Sequence, residues 1–144
     1  MSILSIAGLV LMAICASELG AQQTSDPRFR SGLTATVIDA PPVDGHACRQ
    51  VALRWQTRAG ARSYRALTAP SKNGAWTALG AASACGAGRI TSPTTASDPQ
   101  PEPAAASPHR LFYRVVALGA NGAIDSTDVV PVELTAIAPA GRRP

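Results

Sequence analysis

The sequence predicts an all-β protein, a two-sheet sandwich of about seven short strands. Three observations lead there. Apolar and polar residues alternate with a period of two in several short runs, which is what a strand with one buried face requires. Turn signals built from Gly, Pro, Asn and Asp separate these runs at regular spacing. No segment after residue 21 has a convincing helical period.

Residues 33–38 (LTATVI) read as a first strand, stopped by Asp39-Ala40-Pro41-Pro42 and an Asp44-Gly45 turn. In residues 51–55, Val51, Leu53 and Trp55 fall on one face, with Ala52 and Arg54 on the other. A turn at Ala59-Gly60-Ala61 leads into a strand at 63–67. Asn73-Gly74, a pair that tolerates positive φ, then predicts a hairpin into 76–79. Residues 84–92 are ambiguous apart from a short strand at Arg89-Ile90-Thr91. Residues 93–108 hold Pro93, Pro99, Pro101, Pro103 and Pro108 among Ser, Thr and Ala, so they are expected to stay out of a central sheet and form a polyproline-like or disordered loop. Order resumes at Leu111, where Leu111, Tyr113, Val115 and Ala117 share one face and Phe112, Arg114 and Val116 the other. Gly119-Ala120-Asn121-Gly122 turns the chain into a last strand at 126–135. Pro131 lacks an amide hydrogen, so that strand should lie at an edge or be bulged.

Length and composition set limits on what such a fold can do. At 144 residues and 14.7 kDa the chain holds one domain, which excludes a large multidomain enzyme. Apolar residues make up 46%, too many for general disorder, and aromatics only 4%. The 13 basic residues are all Arg except Lys72, and against 9 acids they give a net charge of +4 without clusters. With no Lys-rich run and no aromatic stacking platform, nucleic acid is not an expected partner.

Residues 3–16 (ILSIAGLVLMAICA) carry no charge, and at about 14 residues they are too short to span a bilayer but fit the apolar region of an export signal. Residues 1–21 therefore read as a signal peptide, cleaved after Ala21 or, as second choice, after Ser17. A retained anchor and a buried N-terminal helix are the alternatives, and the start of the chain lacks the usual Lys or Arg. Lipidation at Cys15 is disfavoured because Ile14 stands where a small residue is needed. Cleavage after Ala21 leaves 123 residues of net charge +5, no membrane span, and two cysteines, Cys48 and Cys85. In the oxidising compartment that export implies, periplasmic or extracellular, these two are expected to pair. Closing that loop stabilises by about 3 to 4 kcal/mol in the chain-entropy picture. Residues 22–32, with Pro27, Arg28 and Arg30, read as a mobile arm, and 139–144 as a tail.

Catalytic chemistry finds little support. The acids fall in turns and linkers, and Asp125 and Asp128 read as solvated caps at a strand entrance. His46 and His109 are the only imidazoles, and His46-Ala47-Cys48 is the only His/Cys cluster, too few ligands for zinc. A non-enzyme without metal or cofactor is expected.

The runs VALRWQTRAGARSYRALTAPSKNGAWTAL (51–79) and LFYRVVALGANGAIDSTDVVPVEL (111–134) resemble a fibronectin type III domain of the kind found in secreted bacterial proteins. The resemblance covers about residues 33–138. It implies an immunoglobulin-like sandwich with the Pro-rich insertion 93–108 at one corner. Where the family places a corner tyrosine this chain has Leu111, so the hydroxyl bond that pins this corner is expected to be absent, with the Cys48–Cys85 bridge as its replacement. Such domains act as spacers, adhesion modules and binding platforms. The resemblance thus implies a protein or glycan partner at the bacterial cell envelope, met by a face of Arg65, Leu67, Phe112, Arg114, Val116 and Trp76 on neighbouring strands. The plainer reading of that face is Arg stems covering the sheet, with Glu133 paired to Arg114. A structural subunit, homo-oligomeric or joined to an assembly by strand addition through the 22–32 arm or the last strand, is the alternative.

Overall fold

The computed structural model describes residues 25–103 and 109–135. The expected signal peptide, the C-terminal tail and residues 104–108 of the Pro-rich stretch lie outside the described residues. Two antiparallel sheets pack face to face. The first runs β1 (Thr34–Val43), β2 (His46–Arg54), β8 (Thr95–Pro101) and β7 (Arg89–Ser92), in the order β1-β2-β8-β7. The second runs β10 (Gly122–Ser126), β9 (His109–Gly119), β3 (Ser63–Ala69) and β4 (Thr77–Ala78), and β11 (Val130–Leu134) also pairs with β9. A small hairpin of β5 (Ala82–Ser83) and β6 (Gly86–Ala87) stands apart.

The alternation expected on the two main strands is what fills the interior. Val51, Leu53 and Trp55 of the first sheet and Leu111, Tyr113, Val115 and Ala117 of the second are all buried, with Ala66, Ala96, Val132 and Leu134 between them. The β1–β2 turn sits at Asp44-Gly45, where φ is +48° and +79°, the left-handed pair a tight hairpin needs. β1 itself continues through Pro41 and Pro42 to Val43, past the expected stop. Asn73-Gly74 turns the chain differently from the expectation. Neither residue has positive φ, and the Gly74 amide donates to the Ser71 carbonyl at 3.1 Å, so a wider loop replaces the tight hairpin.

Three further expectations are corrected. The part of the 22–32 arm that is described is docked, because Pro27–Arg30 forms one helical turn (α1) and Phe29 is fully buried against the core. Asp26 caps this turn by accepting from the Arg28 amide at 2.9 Å, and Pro27 supplies a pre-set φ with no amide hydrogen to satisfy. The Pro-rich stretch, second, contributes a central strand. β8 pairs with β2 over its whole length, from Arg54↔Thr95 to Cys48↔Pro101, while β7 pairs only with residues up to Ser97. The Trp55 amide donates to the Thr94 carbonyl and the Glu102 amide to the Ala47 carbonyl, so even-numbered residues of β8 point at β2. Pro99 and Pro101 therefore face the other edge, beyond the end of β7, where a missing amide hydrogen costs no ladder bond. Third, the strand expected at 126–135 begins only at Val130, as β11, and an unexpected strand, β10, precedes it. Between β10 and β11 the chain leaves the ladder at Thr127, whose amide donates to the Val115 carbonyl and whose hydroxyl accepts from the Val115 amide, each at 2.9 Å. β11 is an edge strand among the described residues, as Pro131 requires.

Candidate functional site

The outer surface of the β10-β9-β3-β4 sheet brings together all six residues expected to form a binding face. Residues directly opposite in an antiparallel register share a face. Arg65 lies opposite Val116, Leu67 opposite Arg114, and Ala69 and Pro131 lie on either side of Phe112. Their neighbours along β9 are the buried residues of the core, so period two alone sends Phe112, Arg114 and Val116 outward. Trp76 arrives from the loop before β4. The Arg114 guanidinium carbon lies 4.6 Å from the centroid of its ring, a cation–π contact. Arg114 Nε is covered and has no hydrogen-bond partner among the described residues.

The expected pairing of Glu133 with Arg114 does not form. The register places Glu133 opposite Arg110, four residues earlier on β9, and those two groups are 3.6 Å apart. Arg65 and Arg114 are left with no carboxylate in ion-pair range among the described residues. They occupy diagonal positions on adjacent strands, so the face carries two positive charges beside Leu67, Phe112, Val116 and Trp76.

The other sheet presents a different surface. Its outward side has a shallow concavity lined by Thr34, Thr36, Gln50, Arg54, Thr95 and Ser97. Several of these groups have partners close by, with Thr34 donating to the Arg54 carbonyl, Gln50 donating to Ser97, and Thr91 and Ser92 both meeting Thr95.

Cys48 and Cys85 are joined as a disulfide, with Cα atoms 5.8 Å apart. Cys48 has the outward parity of Gln50, Ala52 and Arg54, so the bridge lies outside the apolar core and ties the tip of the β5–β6 hairpin to β2. Ser83 of that hairpin adds a hydroxyl bond to the Pro99 carbonyl at 3.4 Å. The expectation that no tyrosine hydroxyl would link this corner is corrected. Tyr113, two residues after Leu111, donates to the buried Asp98 carboxylate at 2.7 Å, and Gln100 donates to the same oxygen at 2.9 Å. Burial, and then the Asp98 charge, push the Tyr113 hydroxyl far above the ordinary tyrosine range. This bond crosses from β9 in one sheet to β8 in the other.

Asp125 is likewise not the solvated cap expected. Its side chain is 4% exposed, and its carboxylate accepts from Arg58 Nε, the Asp26 amide and the Ser126 amide, each at 2.8 Å. Burial alone would raise its pKa, but the Asp26 amide and Arg58 outweigh that and hold it below the usual carboxylate range. Above this clamp Tyr64 accepts from the Arg58 amide at 2.7 Å and its ring packs between Phe29 and Trp55, with centroids 6.0 and 5.7 Å away. The sequence reading missed this site. An Asp-Pro pair followed by a lone Phe in a polar segment was the available signal.

Among the described residues, no cluster of three or more His, Cys, Asp or Glu side chains is placed to hold a metal. No described helix is long and apolar enough to cross a membrane. No family model, curated protein or solved structure matches the chain.

Proposed function

We propose that the protein is an exported, non-catalytic binding or adhesion module of the fibronectin type III kind, acting at the bacterial cell envelope or outside the cell, with a protein as its partner. The observation that carries this reading is the outer face of the β9–β3 sheet. It gathers two arginines without carboxylate partners among the described residues, an aromatic ring stacked on one of them, and half-buried Leu67, Phe112 and Val116. Depletion of acids and enrichment in aromatics and Arg is the composition of contact surfaces. The strand order β1-β2-β8 against β9-β3-β4, with β10 and β11 both on β9, supports the family reading, and the Cys48–Cys85 bridge suits an oxidising compartment.

The test is capture from an envelope extract by the mature protein and by R65E/R114E. Loss of specific partners in the variant supports the face as the contact surface. Equal capture by both contradicts it. A structural-subunit reading has one observation in its favour, since β1 and β11 are each paired on a single side among the described residues. Light scattering on the mature protein decides that question, because strand addition between copies predicts a mass that rises with concentration.

A further inference from the structure

Resting on that reading of the face, we propose that its partner is an acidic protein segment. Its carboxylates pair with Arg65 and Arg114, and its apolar side chains rest on Leu67, Phe112 and Val116. Charge complementarity decides the chemistry. The acids that the register brings near the face are each taken by another arginine, Glu133 by Arg110, Asp128 by Arg30 and Asp125 by Arg58, so the positive charge of Arg65 and Arg114 has no answer within the described residues. Arg114 is half-buried with its Nε covered, so an incoming carboxylate meets a guanidinium already partly removed from water, where a charge-assisted hydrogen bond is worth most.

Other occupants fit less well. A second copy docked through the same face would set these arginines against themselves, since a two-fold contact is self-complementary. A glycan needs a bare aromatic face flanked by hydroxyl or amide groups. Here one face of Trp76 is already covered by Arg114, and the hydroxyl-rich surface belongs to the opposite sheet. Aromatic, Arg and aliphatic groups side by side are what protein hot spots use.

The chain offers an internal reporter. Trp55 is buried in the core and Trp76 sits on the face, and they are the only tryptophans. In nitrogen-labelled protein, the two indole N–H resonances can be followed during titration with an octapeptide of alternating Glu and Leu, with Gln/Leu and Lys/Leu octapeptides in parallel. The Glu/Leu peptide is expected to move the Trp76 signal and leave that of Trp55 in place. R65E/R114E should weaken its binding by about tenfold or more while the rest of the spectrum stays folded. Raising salt to about 0.5 M should weaken it too, as screening shortens the reach of exposed charges. Equal binding of the Gln/Leu peptide overturns the acidic partner but keeps the face as a docking surface. Preference for the Lys/Leu peptide, or no movement of Trp76 with any peptide, overturns the proposal as well, and capture from extract then judges the face separately.

Discussion

A carboxylate that is 4% exposed is costly unless its oxygens are occupied, and those of Asp125 meet two backbone amides and the Arg58 guanidinium. Because its pKa is lower folded than unfolded, the stability it contributes is complete above the unfolded value and is lost as pH falls through the folded one. D125N should therefore be less stable than the wild type by on the order of 3 kcal/mol at neutral pH, with the gap closing below about pH 4. Urea unfolding of both proteins across that range checks this, and a gap that stays constant contradicts it. Tyr113 acts through a single hydroxyl. Y113F leaves the ring in the core but removes the donor to buried Asp98, which should cost about 1 to 3 kcal/mol. An unchanged denaturation midpoint would contradict a structural role for this bond.

At the scale of elements, what could be read in the chain followed from period and turn chemistry. The faces of β2 and β9 were legible because Val51, Leu53 and Trp55, and Leu111 through Ala117, alternate without interruption. β8 was not legible. A proline in a strand forbids one ladder bond on one side, and which side that is depends on the register with β2 and the length of β7, neither of which is a local property. Phe29 was hidden for a similar reason, since one aromatic among polar residues has no period to reveal its burial. The cysteine pair was legible once Cys15 was expected to leave with the export signal, but its position outside the core was not. The bridge pins the β5–β6 hairpin, which has few other ties, to the first sheet. C48A/C85A should lose about 2 to 4 kcal/mol, with the largest gain in amide exchange confined to residues 79–88. Uniform loosening of both sheets would show that the bridge supports the core instead.

The whole molecule divides its labour between its two outer surfaces. One sheet shows water hydroxyls and an amide with hydrogen-bond partners close by, and the other shows arginines without carboxylate partners among the described residues beside apolar and aromatic groups. The outward direction of Arg65, Leu67, Phe112, Arg114 and Val116 was legible in the sequence, because alternation along β3 and β9 sets it, whereas Trp76 comes from a loop that has no such period. The stacking of Arg114 on Trp76 and the choice of Arg110 by Glu133 were not, since both depend on the register between strands and on the path of the loop before β4. Since Arg65 and Arg114 hold no ion pair among the described residues, reversing their charge should cost only about 1 to 2 kcal/mol of folding stability, from the lost stacking on Trp76, while abolishing partner capture. The central claim is that this face makes the contact. Site-specific photocrosslinking tests it most directly, with the photoreactive group placed at Val116 on this face in one protein and at Thr36 on the opposite sheet in another. A discrete adduct in the envelope from position 116 and none from position 36 is the result expected. Adducts from position 36 alone, or equally from both, would contradict it.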